Sequence, residues 1–315
     1  MDTTDTTDAP PARGTPGLGK GLKAIATHTA NVAEFAVVGL LWGICRLLPV
    51  TWASALGAAL FGAFGPGSHK QRHVLKSMSV ITGSIDDAVL RPLAIGMWAN
   101  LGRVIAEYPH ITRIAAERTT VTVAAETRAL LDAGETVVIL AGHIANWEII
   151  ANALENMGVP LIGVYARHAN PYIEKALRRF RHTPESLFVN KGDALSALLD
   201  ERNAHRSFGV LPDQRAATGL MLPFFGIPAK TTIIPARIAM RSRRHLVPVQ
   251  VERLAGTRFR LTVHAPLTLD AVESRWSEKR RAIRLTEKFQ ALLETWIAAH
   301  PEHWLCTKHR WPKRD

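Results

Sequence analysis

A chain of 315 residues with 47% apolar and 21% charged side chains can bury a large core, which excludes wholesale disorder. Lys and Arg number 39 against 27 Asp and Glu, a net charge of +12, so the expected partner is anionic: nucleic acid, membrane, a phosphorylated substrate or an acidic carrier protein. Two distant cysteines, Cys45 and Cys306, exclude a disulfide framework and a tetrathiolate metal site and point to a reducing cytoplasm.

Residues 1–20 are Thr, Asp, Pro and Gly without aliphatic periodicity and read as a disordered tail. They lack the basic-then-apolar order of a secretory signal. The run GTPGLGK (14–20) has phosphate-loop spacing, but Gly21 stands where Ser or Thr is required and no strand precedes it. From Phe35 to Gly67 the only formal charge is Arg46, and Pro49 breaks the run between Trp42 and Trp52. Each half is short for a clean span. Lys20 and Lys23 before it, and Lys70, Arg72 and Lys76 after it, would keep both ends cytoplasmic. An interfacial helical hairpin is expected, against the alternative of two buried core helices. Residues 84–118 look helical, with Leu93, Met97, Leu101, Val104 and Ile105 at helical spacing.

Beyond them, TVVILA (136–141), LIGVYA (161–166), SFGVLP (207–212) and HLVPVQVE (245–252) read as strands separated by helical stretches. RFRLTVHAP (258–266) alternates at period two and should pair as a neighbouring or edge strand, and residues 277–300 form a last helix that Pro301 ends. The expected fold class is therefore α/β, a mainly parallel central sheet flanked by helices, with an N-terminal apolar helical membrane-associating segment. Three parts follow: the tail (1–20), the membrane-associating segment (21–80) and the α/β domain (81–315).

The first of these strands runs into GHIANWE (142–148), where working residues of open α/β sheets collect. Asn146 is placed to cap a helix starting at Trp147, and a loop-then-helix geometry can bring Glu148 back onto His143. A carboxylate on one ring nitrogen fixes the tautomer and leaves the other nitrogen to take a proton. The bland alternative is a histidine that caps a helix. No Gly-x-Ser-x-Gly elbow occurs, and neither cysteine sits beside a recognisable base, which suggests that the substrate brings its own nucleophile. His303, Cys306 and His309 have ligand-like spacing but lack a fourth ligand, so no metal is expected. Scattered basic residues without a recognition motif argue against nucleic acid. The basic clusters 241–245, 279–284 and 308–314 could meet lipid phosphates, an acidic carrier or nothing, and charge alone does not separate these.

GHIANWE resembles the His-x4-Glu block of the late acyltransferases of lipid A biosynthesis, the lauroyl and myristoyl transferases, within the lysophospholipid and glycerophosphate acyltransferase superfamily. VYARHANPYIEKALRRFR (164–181) is similar to that family's second block, with Tyr165, Asn170, Pro171 and Arg181 at matching positions. GVLPDQRAATGLMLPFFGIPAKTT (209–232) is similar to its third, with Asp213, Gln214, Phe224, Phe225 and Gly226. PEHWLCTKHRW (301–311) resembles its closing pattern, with Cys306 where an aromatic is usual.

The resemblance implies acyl transfer from an acyl carrier protein thioester to a glycolipid hydroxyl, without cofactor, at the cytoplasmic face of the cell inner membrane. It casts His143 as general base and Glu148 as its orienting partner. Arg181 would support the acceptor or its phosphate, and Asp213 would be an acid behind or against the acceptor. Asn146, Tyr165, Asn170, Gln214, Phe224, Phe225 and Gly226 complete the implied substrate-binding set, although the Phe pair could equally be core. Tyr-Ala-Arg replaces Tyr-Arg-Pro in the second block and Arg215-Ala216 follows Asp-Gln in the third, which leaves the acceptor open between lipid A, or its precursor, and another glycolipid, an ornithine lipid or a lysophospholipid.

Overall fold

The computed structural model describes residues 18–312. Residues 1–17 of the expected tail, with most of the glycine-rich run, lie outside the described residues, and residues 18–20 already belong to the first helix. The chain opens with α1 (Leu18–Leu47), α2 (Val50–Phe64), α3 (Gln71–Thr82), α4 (Asp87–Glu107) and α5 (Ile111–Glu117). Then β1 (Thr119–Val123), α6 (Ala125–Asp132), β2 (Val138–Leu140), α7 (Ile149–Glu155), β3 (Leu161–Tyr165), α8 (Pro171–Arg181), β4 (Leu187–Asn190), α9 (Ala194–Leu199) and β5 (Ser207–Val210) alternate. The hairpin β6 (Leu220–Phe224) and β7 (Ile227–Thr231) leads to α10 (Ile234–Arg241), β8 (Leu246–Ala255), β9 (Arg258–Val263) and α11 (Glu278–Ala299).

The main sheet has seven strands in the order β1-β9-β8-β2-β5-β3-β4. From β8 through β4 every pairing is parallel; β9 is antiparallel to β8, and β1 runs parallel to β9. Val138, Ile139 and Leu140 are all buried, as a central strand covered on both faces requires. The period-two alternation of residues 258–263 does mark a strand that neighbours β8, with β1 outside it. Pro49 separates α1 from α2 at the break expected from the sequence.

Helix α2 packs most closely against α4. A Cβ on Gly57 would stand 2.2 Å from the Gly102 carbonyl oxygen, and one on Gly102 would stand 2.0 Å from that of Gly57. Val50 of α2 and Val74 and Met78 of α3 share one buried cluster with the sheet, so residues 50–80 pack as part of the body. Helix α1 is different. Residues 25–47 are the one stretch, among the described residues, long and apolar enough to cross a membrane. Ile25, Val37, Leu40 and Leu47 are exposed on it, and Trp52 and Phe64 are exposed on α2. Its other face is docked: Asn170 Nδ2 donates to the Asn31 carbonyl (2.7 Å) and to Glu34 (2.9 Å), Trp42 Nε1 donates to the Ile105 carbonyl (2.8 Å), and a His110 ring nitrogen lies 2.8 Å from the Cys45 carbonyl.

Because α4 can meet α2 only across paired glycines, Gly102→Ala should lower stability by about 1–3 kcal/mol, read as a fall in Tm, while an exposed α6 substitution such as Arg128→Ala leaves it unchanged.

Candidate active site

Parallel β2 and β5 are adjacent, so the loops leaving their C-terminal ends meet. His143 lies on the first loop and Asp213 on the second. His143 Nδ1 stands 2.7 Å from Asp213 Oδ1, and the His143 backbone N–H donates to Asp213 Oδ2 at 3.1 Å. Trp304 Nε1 donates to the same oxygen at 2.9 Å. Burial by itself would push the Asp213 carboxyl up, but the His143 charge and these donors hold it below the ordinary aspartate value. An ionised Asp213 keeps the imidazole proton on Nδ1, and Nε2 has no hydrogen-bond partner among the described residues.

The orienting carboxylate is thus Asp213, and Glu148 is engaged elsewhere. Helix α7 begins at Ile149, two residues later than Trp147, so Glu148 stands at its N-cap position and its side chain turns toward α8. Arg181 donates to both Glu148 oxygens at 2.6 and 2.7 Å and to Tyr108 Oη at 3.2 Å, and Trp147 Nε1 donates to Glu148 at 3.0 Å. Burial would raise the Glu148 carboxyl; the Arg181 charge and these donors overcome it and hold it low. Burial and then the Glu148 charge push the Tyr108 hydroxyl well above its usual value, so it stays protonated.

A pocket of about 390 Å³ joins these groups. His143, Glu148, Tyr165, Arg181 and Gln214 line it, with Asp213 behind His143. Its apolar walls come from Ile139, Leu161, Gly163 and Gly209 of the sheet and from Ile150 and Ala151 of α7. Lys191, Arg215 and Lys308 add cations.

Other residues of the implied substrate-binding set make contacts within the protein. Asn146, fully buried, donates to Glu107 at 2.7 Å and accepts the Glu148 N–H at 3.2 Å. Asn170 caps α8 through Tyr172 N–H (3.0 Å) and pins α1. Phe224, Phe225 and Gly226 do not line the pocket: Phe224 is fully buried between Trp304 and Trp311, both 5.9 Å away between ring centroids. Phe225 and Gly226, with φ of 51° and 69°, are the two-residue turn between β6 and β7, and the Phe225 amide is spent on Glu294 (2.8 Å). His303, Cys306 and His309 do not gather as ligands; among the described residues the group that could hold a metal is His300, Glu302 and His303.

The sequence reading missed the support beneath the loop. Ala145 adopts φ 53°, and its amide donates to the His303 carbonyl at 3.0 Å. Asn100 Nδ2 donates to the carbonyls of Ala145 (3.1 Å) and His303 (3.2 Å), while Arg253 pairs with the fully buried Glu107 at 2.6 and 3.0 Å and with Asn100 at 3.2 Å. One signal was available: Asn100 and Glu107 continue the Met97, Val104 stripe of α4, so two polar side chains fall on its core face. Trp304 lay inside the closing block without a role.

Breaking one partner of a buried pair strands the other, so Glu148→Ala should cost about 3–5 kcal/mol in denaturant unfolding, whereas His143→Ala, at the pocket wall, should cost far less. Asp213 and Glu148 both titrate below their ordinary values in the folded state, so the stability each contributes is complete above pH of about 4 and is lost as pH falls through the depressed folded values. Tm should therefore fall on acidification below that point, less steeply in Asp213→Asn.

The family model described as bacterial lipid A biosynthesis acyltransferase matches residues 20–313. No curated protein matches the chain. The match covers the docked apolar helix, the whole sheet and both carboxylates of the site, and the chain belongs to the bacterial lipid A biosynthesis acyltransferase family.

Proposed function

We propose that this acyltransferase moves a fatty acyl group from an acyl carrier protein thioester to a hydroxyl of lipid A or its precursor, at the cytoplasmic face of the inner membrane. The observation that carries the reading is the His143–Asp213 pair on the wall of a largely apolar pocket. His143 Nε2 takes the proton from the acceptor hydroxyl as its oxygen bonds to the thioester carbonyl carbon. Asp213 steadies the imidazolium that results. The tetrahedral adduct then breaks its carbon–sulfur bond, the sulfur takes the proton back from His143, and ester and free carrier thiol leave. No acyl-enzyme is needed. Burial pushes the Cys306 thiol up to about 12, which makes it a poor nucleophile at neutral pH.

The slot between the sheet and α7 suits the acyl chain: Gly163 and Gly209 leave room where side chains would project, and a Cβ at Gly163 would press into the Phe188 ring at 2.8 Å. The amides of His143, Ile144 and Ala145 are committed to Asp213, Gly142 and His303, so positive charge for the oxyanion or for acceptor phosphates falls to Lys191, Arg215 and Lys308. This chemistry requires neither metal nor cofactor. The exposed apolar face of α1, with its opposite face fixed to the body from Asn31 to Cys45, supports a helix that lies along the membrane surface rather than one free to cross it. A second acceptor class, another glycolipid, an ornithine lipid or a lysophospholipid, is favoured by Arg215, which lines the pocket at a departure from the resembled third block.

His143→Ala should lower kcat by about 10²–10⁴-fold with Tm near that of the wild type, and Asp213→Asn should lower it by a similar order with KM little changed. Undiminished turnover in His143→Ala sinks the mechanism. Mass spectrometry of lipids from a deletion strain separates the acceptors: lipid A lacking one secondary acyl chain supports the first reading, and intact lipid A with another lipid depleted supports the second.

A further inference from the structure

A second concavity, of about 920 Å³, lies between α8 and the segment that carries β4. Lys175, Arg178, Arg179 and Arg206 stand on its walls, and none of them forms an ion pair among the described residues. Glu174 is the one carboxylate lining it, and it is held by the Tyr165 hydroxyl (2.6 Å) and the His168 amide (3.0 Å). Arg206 is held by carbonyls, those of Glu185 (2.5 Å) and Arg202 (3.3 Å), and by the Asn203 side chain (2.7 Å), which fixes its position without cancelling its charge. Arginines at the end of α8 also suit the helix dipole, but Lys175 in mid-helix and Arg206 on a different segment do not serve it.

The groove opens beside the catalytic pocket. Phe188 of β4 lines both cavities, and α8 presents Arg181 to one and Arg178 to the other. A partner seated on the groove would have its reactive arm within reach of the wall that the two cavities share.

Resting on the acyl transfer reading above, we propose that this groove is the docking surface for the acidic acyl carrier protein, which feeds its thioester arm past Phe188 into the pocket. Four cations outnumber the one carboxylate in the groove and none is in an ion pair among the described residues, so a net positive field faces an incoming acidic surface, and charges of this kind act mainly on encounter and partner choice. The groove therefore governs the donor carrier and leaves the acyl chain and the acceptor to the pocket.

The test uses the full chain in detergent and the charge-reversed pair Lys175→Glu/Arg178→Glu, with Arg128→Glu on the exposed face of α6 as a control. Binding of fluorescently labelled holo-acyl carrier protein is read by anisotropy. Transfer is measured with one acyl chain on either the carrier protein or coenzyme A. The expected result is carrier affinity weaker by at least about tenfold, with KM for the carrier thioester raised to match, kcat and the coenzyme A thioester KM within about twofold of wild type, and the control unchanged. Carrier affinity equal to wild type, or lowered as much by the control, overturns the assignment. So does a rise confined to the acceptor KM, which would make the groove a headgroup site. A wild-type chain that transfers from neither thioester would instead overturn the acyl transfer reading and the groove with it, whereas normal wild-type transfer with unaffected variants overturns the groove alone.

Discussion

Asp213 is 1% exposed, and its two carboxylate oxygens take hydrogen bonds from the His143 ring, the His143 backbone and the Trp304 indole. A carboxylate removed from water this completely stays ionised only when such donors replace its hydration. Each donor also fixes something else. The imidazole contact selects the tautomer, the amide contact holds the loop after β2, and the indole ties the last residues of the chain to the loop after β5. That last tie continues as backbone pairing, with Leu305 N–H donating to the His143 carbonyl at 2.9 Å. One buried anion thus brings together two strand ends and a segment 91 positions further along the chain.

Around it stand two further buried ion pairs with separate tasks. Glu107 and Arg253 hold the loop from below, through Asn146 and Asn100, and so hold the left-handed turn at Ala145 that a β-carbon resists. Glu148 and Arg181 join α7 to α8 at the pocket wall, with Tyr108 donating from α4's end. Pairs of this kind add little net stability over apolar packing, but removing one partner is costly. The loss of activity that a Glu148 substitution would cause therefore says nothing by itself about proton transfer.

Hydrophobic periodicity carried the sheet far: the runs at 136–141, 161–166 and 207–212 each contain a strand and the run at 245–252 covers most of one, because a central parallel strand must be apolar on both faces. Strands β1 and β4 escaped for the complementary reason. TTVTV and LFVN sit at the two edges, partly exposed, the first with isolated valines among threonines and the second with only three apolar residues in a polar stretch. The motif residues were legible as a set, but their pairing was not. His143 and Glu148 are close in sequence and partnered apart, whereas Asp213 and Trp304 are 91 positions apart and share a hydrogen bond. Spacing along the chain reports only local geometry, and this site is assembled by strand order. For the same reason Phe224 and Phe225 could not be separated into core and groove until the hairpin and Trp311 were in place.

Asp213, rather than Glu148, is the carboxylate placed to hold a proton on His143 Nδ1. Proton NMR of the histidine ring N–H groups in nitrogen-15-labelled protein, with His143 assigned through His143→Ala, reads this contact. His143 should show a strongly downfield proton resonance coupled to Nδ1, which disappears in Asp213→Asn and persists in Glu148→Gln. A proton on Nε2, or a downfield resonance that depends on Glu148 and survives the loss of Asp213, would contradict it.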